Sequence, residues 1–159
     1  RHVSVNGLID GGSSDVSAVG TYRLEPYFLS QGVDTLDYVF VTHGDDDHIS
    51  GVREMLENQM FGVKIRNLVM PPSEYHDEKL IALAKTAMKN GSRVSVMDQG
   101  DKIKTGAAGK EKGMILTCIG PGSGLEVSRA MRHLLFWNCL LESLICCLPV
   151  MWKAVGKKI

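Results

Sequence analysis

The chain has 159 residues, 44% of them hydrophobic, which is enough for one domain with a buried core and too short to expect two. Its 18 basic and 18 acidic side chains give a formal net charge of zero, which neither favours nor excludes a nucleic-acid partner. No signal peptide or transmembrane helix is expected, because the first apolar run, Leu8-Ile9, is far too short and ends at Asp10. Since the chain begins at Arg1 rather than Met, we expect a fragment of a longer protein.

Charge and cysteine are unevenly distributed along the chain. Residues 1–128 carry 13 basic and 17 acidic side chains, whereas residues 129–159 carry 5 and 1. The same tail holds three of the four cysteines and both tryptophans: Trp137, Cys139, Cys146, Cys147 and Trp152. The cysteines lack zinc-ribbon spacing and form no disulfide framework. We therefore predict one domain over residues 7–126, followed by an atypical apolar and basic tail over residues 127–159.

Strand and helix patterns alternate along the predicted domain. The expected elements are, in chain order, a strand ending at Ile9, a helix through Leu24 and Phe28 that stops at Gly32, a strand from Leu36 to Thr42, a helix from Ile49 to Met60, a strand from Ile65 to Met70, a helix from Asp77 to Asn90, and strands at Arg93 to Met97, Lys102-Ile103 and Met114 to Ile119. The inner face expected for the last helix consists of Leu80, Ile81, Leu83, Ala84, Ala87 and Met88. This alternation predicts an α/β fold with a parallel sheet covered by helices. There is no Walker loop and no GxGxxG motif, so we expect no nucleotide cofactor.

Two imidazoles and two carboxylates lie within six residues, directly after the apolar run Tyr38-Val39-Phe40-Val41. They are His43, Asp45, Asp47 and His48. Residues i and i+2 of an extended chain project to the same side, and the carboxyl ends of parallel strands are where open α/β sheets place their chemistry. The spacing predicts a metal site. The alternative is a solvated connection in which Asp47 caps the next helix. Repulsion among three consecutive aspartates favours the metal.

Asp10 follows the first predicted strand and precedes the glycine pair Gly11-Gly12. Its carboxylate either caps this turn or orients the metal-binding loop through a hydrogen bond to a ligand. Both interpretations remain open from the sequence.

The motif His43-x-Asp45-x-Asp47-His48, preceded by Leu8-Ile9-Asp10-Gly11-Gly12, resembles the metallo-β-lactamase superfamily, whose usual signature is HxHxDH. The chain departs from that signature at Asp45, which replaces the second histidine. Three further segments make the chain similar to the C-terminal domain of ComEC-type DNA-uptake proteins over roughly residues 7 to 124: Gly20-Thr-Tyr-Arg-Leu-Glu-Pro-Tyr-Phe-Leu, Gly32-Val-Asp-Thr-Leu-Asp-Tyr-Val-Phe and Asn67-Leu-Val-Met-Pro.

The resemblance implies the first half of an αββα sandwich with a dinuclear site that hydrolyses phosphodiesters. In the full-length family it implies a membrane-associated protein, whose channel portion belongs to the same polypeptide and whose nuclease domain degrades the single strand of DNA that is not imported. His43 and Asp45 would bind the first metal, and Asp47 and His48 the second. Asp47 would also be catalytic, holding or deprotonating the attacking water, while Asp46 is expected to face solvent. A carboxylate in place of an imidazole favours Mn²⁺, with Mg²⁺ possible, over the Zn²⁺ common in the superfamily.

The family pattern continues with a Thr-Gly-Asp motif, whose aspartate bridges the metals, and with a later histidine. Neither is present after residue 126, where His133 is the only histidine and its neighbours do not match. When permitted codons for residues 127–159 are read in a shifted frame, one choice of codons yields Thr-Gly-Asp. The codon for its aspartate then spans the codons of Val150 and Met151. We therefore predict that the tail is translated out of frame. The rival interpretation is an apolar helix from Leu134 to Val150 that spans a membrane or binds a partner.

The expected function is that of a metal-dependent nuclease domain whose site is incomplete in this chain. We predict weak binding of a single ion, little turnover, and an apolar sheet face left uncovered by the missing half. The alternatives are another hydrolase of the superfamily that acts on small esters or thioesters, and a fragment without a function of its own.

Overall fold

The computed structural model describes residues 5–105 and 114–118, together with the backbone of three short strands at 139–141, 144–146 and 152–154. The predicted boundary between the domain at 7–126 and the tail at 127–159 lies outside the described residues.

The described strands and helices follow the predicted alternation. Their bounds are Val5–Ile9 (β1), a π-helical segment Gly20–Leu24, Glu25–Ser30 (α1), Thr35–Leu36 (β2), Tyr38–Phe40 (β3), Asp46–Glu57 (α2), Lys64–Ile65 (β4), Asn67–Met70 (β5), a 3-10 turn Ser73–Tyr75, Glu78–Lys89 (α3), Arg93–Val96 (β6), Lys102–Thr105 (β7), Met114–Thr117 (β8), Cys139–Leu141 (β9), Leu144–Cys146 (β10) and Trp152–Ala154 (β11).

The central sheet has the strand order β11-β1-β3-β5-β6. Strands β1, β3, β5 and β6 are parallel, with Leu8 opposite Val39 and Val39 opposite Leu68, whereas β11 pairs antiparallel with β1. Parallel neighbours require a crossover connection, and α2 and α3 provide it between β3 and β5 and between β5 and β6. The α/β class and the parallel sheet are confirmed.

Alternating side chains of β1, β3 and β5 bury both faces of this sheet. Toward α2 and α3 the core comprises, among others, Leu8, Val39, Val41, Ile49, Val52, Leu56, Leu68, Met70, Leu80 and Leu83. On the opposite face Ile9, Phe40, Val69, Met97, Leu116 and Cys118 form a second core. Its last two members come from β8 and the residue after it. The hairpin of β7 and β8 therefore covers part of the face that we expected to be bare.

Two of the predicted strands are interrupted. The segment from Leu36 to Thr42 breaks at Asp37, and the segment from Ile65 to Met70 breaks at Arg66. The Asp37 carboxylate accepts hydrogen bonds from the Asn6 backbone N–H at 3.0 Å and from the Arg66 guanidinium at 2.7 Å. These contacts come from residues 31 and 29 positions away along the chain, so the local hydrophobic pattern carries no sign of the break. The short strands that precede these two breaks, β2 and β4, form a separate parallel pair.

Helix α3 begins and ends one residue inside the predicted bounds, Asp77 and Asn90, and its buried face is narrower than predicted. The Asp77 carboxylate caps it by accepting the Leu80 backbone N–H at 2.8 Å, and Gly91 ends it with a φ of 88°. Only Leu80, Leu83 and Ala87 of this helix are buried. Ile81 and Met88 are exposed, so their expected inward position is wrong, because they lie beside the stripe that faces α2 and the sheet.

The rival interpretation of the tail as a helix from Leu134 to Val150 disagrees with its described parts. Cys139–Leu141 and Leu144–Cys146 are strands that pair antiparallel with each other. Across the described ranges, no helix is both long and apolar enough to cross a membrane.

Candidate metal centre

The predicted ligands occupy the connection between β3 and α2. The ladder of the sheet continues past β3, since the Val41 N–H donates to the Val69 carbonyl at 2.9 Å. Helix α2 then begins at Asp46, three residues before the predicted Ile49. Asp45 holds the N-cap position with an extended backbone and makes no capping hydrogen bond with its side chain, while Asp47 lies inside the first turn. The alternative in which Asp47 caps the helix is therefore wrong.

Three of the four predicted ligands converge. His43, Asp47 and His48 each offer one ligand atom, and these atoms all lie within 4.8 Å of one another. The two imidazole centroids are 3.8 Å apart, and His48 Nε2 lies 3.5 Å from Asp47 Oδ2. Asp45 does not join this set, although its Oδ2 lies 3.6 Å from His43 Nε2, on the side that the i, i+2 spacing predicts.

The Asp10 carboxylate is buried at the end of β1 and connects three parts of the site. Its Oδ1 accepts the Thr42 backbone N–H at 2.9 Å, and its Oδ2 accepts the Thr42 hydroxyl at 2.8 Å. Oδ2 also lies 2.8 Å from His48 Nδ1. Asp10 has a φ of 51°, in the left-handed region that Asp and Asn tolerate better than most residues. Of the two roles left open by the sequence, these contacts favour orientation of the loop and of His48.

Thr42 is a contributor that the sequence did not reveal. Its hydroxyl donates its single proton to Asp10, so it can only accept from His43 Nδ1, which lies 2.8 Å away. His43 is then protonated at Nδ1, and His48, whose Nδ1 donates to Asp10, is protonated at the same atom. In their neutral forms both histidines thereby present the lone pair of Nε2 toward the carboxylates of the loop, which is how metal-binding imidazoles are held.

The electrostatic surroundings of His48 favour its protonated form. Burial alone would lower the pKa of this imidazole. The hydrogen bond to Asp10 and the negative charges of Asp10, Asp47 and Asp45 outweigh burial and raise the pKa above its ordinary value of 6.5. The pocket around this ring therefore attracts positive charge.

Glycines allow three chain segments to meet at the site. The Gly11 N–H donates to the His48 carbonyl at 2.8 Å. A Cβ at Gly12 would lie 2.6 Å from the backbone carbon of Asp47 and from the backbone nitrogen of His48. At Gly44 it would collide with the carboxylate of Asp77, the capping residue of α3. The first turn of α2 is thus packed directly against the glycine turn after β1.

Asp46 is exposed, as expected, and it forms ion pairs with cations of two helices. Its Oδ2 lies 2.8 Å from Lys79 Nζ on α3, and its Oδ1 lies 3.5 Å from Arg53 on α2. Asp46 and Asp47 also lie at a helix N-terminus, where negative charge is favourable. Repulsion among the three aspartates is therefore partly offset within the chain. The convergence of ligand atoms is now a stronger indication of a metal than that repulsion.

Comparison with known families agrees with this geometry. The family model of the Metallo-beta-lactamase superfamily matches residues 6–124. The chain belongs to this superfamily. Members of this superfamily typically bind divalent metal ions. The described strands and helices of the chain are consistent with part of the superfamily's fold. It is also similar to ComE operon protein 3 of Bacillus subtilis (strain 168), with 29% identity over 90 residues. That match covers 55% of this chain and 11% of the relative, so the chain corresponds to about a tenth of that protein's length.

The side chains at the centre suit a divalent cation. Two Nε2 atoms and the Asp47 carboxylate, which is 53% exposed and accessible from solvent, form a mixed nitrogen and oxygen donor set. Asp45 Oδ2, next to His43 Nε2, offers a further oxygen. Buried hydrogen bonds from Asp10 and Thr42 hold the imidazoles from behind, as expected for supports of metal ligands.

Proposed function

We propose that the parent domain of this chain is a metal-dependent phosphodiesterase that hydrolyses DNA within a ComEC-type DNA-uptake protein. The observation that carries the proposal is the convergence of His43, Asp47 and His48 at the carboxyl edge of the parallel sheet. Asp45, where the superfamily signature has histidine, supports a phosphodiesterase that uses a hard cation. The similarity to ComE operon protein 3 supports the link to competence.

In this proposal His43 and Asp45 would hold one cation, and Asp47 and His48 would hold the other. When bound, the cations supply a Lewis acid for phosphate oxygens and an acidified water. Asp47 would hold or deprotonate the attacking water, because it is the one carboxylate of the converging set and its side chain is accessible from solvent. Asp10 keeps the His48 ring in one orientation. Asp45, a carboxylate where the superfamily signature has an imidazole, makes the site harder and favours Mn²⁺ or Mg²⁺ over Zn²⁺.

We further propose that residues from about 127 onward are translated out of frame, so that this chain lacks the second half of the site. The change in charge and cysteine content after residue 128 supports this, as does the Thr-Gly-Asp string in the shifted frame. Without the bridging aspartate and the later histidine, the chain binds one ion weakly and turns over little substrate. Reading the gene across codon 127 tests the frame directly: codons that cannot encode Thr-Gly-Asp in that register rule the shift out.

The activity is tested with two proteins, the chain as it stands and the same domain with its reading frame restored. Each is incubated with a labelled single-stranded oligodeoxynucleotide and Mn²⁺, with metal-free buffer as the blank. The restored domain should cleave the strand, and Asp47→Ala should abolish cleavage. Glu57→Ala, an exposed acid at the other end of α2, is the matched control and should retain activity. Asp47-dependent cleavage by the chain as it stands would overturn the proposed inactivity.

The substrate class is tested with the restored domain on a panel of small esters and thioesters. A phosphodiesterase should leave these compounds intact while it cleaves DNA. Hydrolysis of the esters without cleavage of DNA would instead support another hydrolase of the superfamily. The membrane channel as partner, and membrane association through it, are proposals for the longer protein, of which this chain represents a small part.

A further inference from the structure

Asp46, Arg53 and Lys79 form a charged cluster on the outer side of α2 and α3. Lys79 Nζ lies 2.8 Å from Asp46 Oδ2, and Arg53 lies 3.5 Å from Asp46 Oδ1, so each carboxylate oxygen faces one cation. All three side chains are about half exposed. Exposed ion pairs contribute only about 0–1 kcal/mol to stability, so the partners can be exchanged at little cost.

This cluster borders the metal centre. Asp46 immediately precedes Asp47, and the charges of Asp45 and Asp77 act on Lys79 in addition to that of Asp46. Arg53 lies two helical turns further along α2, on the same side as Asp46. The side chains of Arg53 and Lys79 therefore form a positively charged strip that extends from the metal centre along α2, next to α3.

A polyanionic substrate needs such a strip. The loop presents three consecutive aspartates, and the cations proposed for the centre neutralise the charge only there. Phosphates on either side of the scissile one still approach a negative surface. Lysine and arginine that bind backbone phosphates supply most of the sequence-independent affinity for nucleic acid.

We propose that Lys79 and Arg53 bind the phosphates of a nucleic-acid strand next to the one that is cleaved, and that Asp46 occupies both cations in the free protein and competes with the strand. This inference rests on the proposed phosphodiesterase function and adds a binding subsite to it. Asp46 then sets the affinity for the strand and takes no part in the chemistry.

An ion-pair cluster with a purely structural role predicts different effects of these substitutions on nucleic-acid binding. If the cluster only joins α2 to α3, removing Asp46 or Lys79 lowers stability slightly, and the altered net charge changes binding no more than Lys85→Gln does. If the cluster is a phosphate subsite, removing Asp46 frees two cations and strengthens binding, whereas removing Lys79 or Arg53 weakens it, in each case by more than Lys85→Gln changes it. The size of these effects relative to that of Lys85→Gln separates the two roles.

The experiment measures binding of a fluorescently labelled oligothymidylate to the chain by anisotropy, in a chelator so that no cleavage occurs, over a series of salt concentrations. Asp46→Asn should tighten binding about 3- to 10-fold at low salt. Lys79→Gln and Arg53→Gln should each weaken it by a similar factor and reduce the slope of log affinity against log salt by about 0.7. Lys85→Gln, an exposed lysine further along α3, is the matched control and should leave the slope unchanged.

Each variant is also melted, so that loss of folding is distinguished from loss of binding. Weaker or unchanged binding by a folded Asp46→Asn variant would overturn the inference, as would the absence of measurable binding by the unaltered chain at low salt. The result is separable from that of the cleavage assay. If the restored domain cleaves DNA but the variants do not change binding as expected, only the subsite is rejected. If binding changes as expected but no cleavage occurs, the proposed activity is rejected.

Discussion

Asp10 Oδ2 lies 2.8 Å from His48 Nδ1, although 38 residues separate the two along the chain. The contact joins the end of β1 to the first turn of α2. It fixes the tautomer of His48 so that Nε2 faces Asp47, whose Oδ2 is 3.5 Å away. One buried carboxylate therefore determines which nitrogen the imidazole presents to the centre.

Replacing that carboxylate by an amide should impair the centre without straining the backbone. In Asp10→Asn the amide oxygen can still accept the Thr42 N–H, but the NH2 group then faces His48 Nδ1 and favours the tautomer with its proton on Nε2. Asparagine tolerates the positive φ at this position. Mn²⁺ affinity, measured by titration calorimetry, should fall about 10- to 100-fold. Asp15→Asn, in the exposed part of the same loop, is the control, and equal affinity for the two variants would contradict the role of Asp10.

The Asp10–His48 pair also predicts how stability depends on pH in metal-free buffer. The pKa of His48 is raised in the folded chain, so the folded state binds the proton more tightly than the unfolded state. The stabilisation is fully present below the ordinary value of 6.5 and is lost as pH rises through the raised pKa. Because the ring is partly exposed, solvent screens this interaction and the effect is modest.

Thermal melts between about pH 6 and about pH 9 measure this dependence, since histidine is the side chain that normally titrates near neutral pH. The melting temperature should fall toward alkaline pH in the unaltered chain, and the fall should be smaller in His48→Gln. A melting temperature that rises over this interval would contradict the direction of the pKa shift.

The close approach of Gly12 to α2 predicts a cost for any side chain at that position. A Cβ there would meet the backbone of Asp46, Asp47 and His48, which cannot move as the end of a flexible side chain can. Gly12→Ala should therefore lower the free energy of unfolding by about 1–3 kcal/mol and weaken Mn²⁺ binding, because it displaces the first turn of α2. Urea denaturation measures the first effect. Ser14→Ala, in the exposed part of the loop, should change neither quantity.

The sequence predicted the order of elements because buried parallel strands are nearly continuous in apolar residues and the intervening helices are amphipathic. It did not predict where α2 begins. The buried residues of that helix start at Ile49, so its first turn, which consists of ionisable side chains, has no apolar pattern. The breaks at Asp37 and Arg66 were also missed, because the hydrogen bond between these two side chains joins residues 29 positions apart in the chain.

For the candidate site, local spacing predicted that His43, Asp45, Asp47 and His48 converge, and three of them do, whereas Asp45 lies beside His43 outside the set. The hydroxyl of Thr42 and the cations around Asp46 were not predicted. Each depends on a partner that the fold brings near, Asp10 for Thr42 and Lys79 for Asp46. A threonine that ends a strand and a lysine on an amphipathic helix are ordinary residues until their neighbours are known.

The hairpin of β7 and β8 gives the last prediction, which concerns the second face of the sheet. Leu116 is 1% exposed and belongs to the core formed with Ile9, Phe40 and Val69. If the hairpin covers this face in solution, Leu116→Ala should lower the free energy of unfolding by about 2–5 kcal/mol, and the smaller truncation Leu116→Val should lower it by less. Val96→Ala, at a half-exposed position on β6, should have little effect in the same urea titration. Equal stabilities for Leu116→Ala and Val96→Ala would mean that the hairpin does not pack on the sheet and that this face is bare, as the sequence alone had suggested.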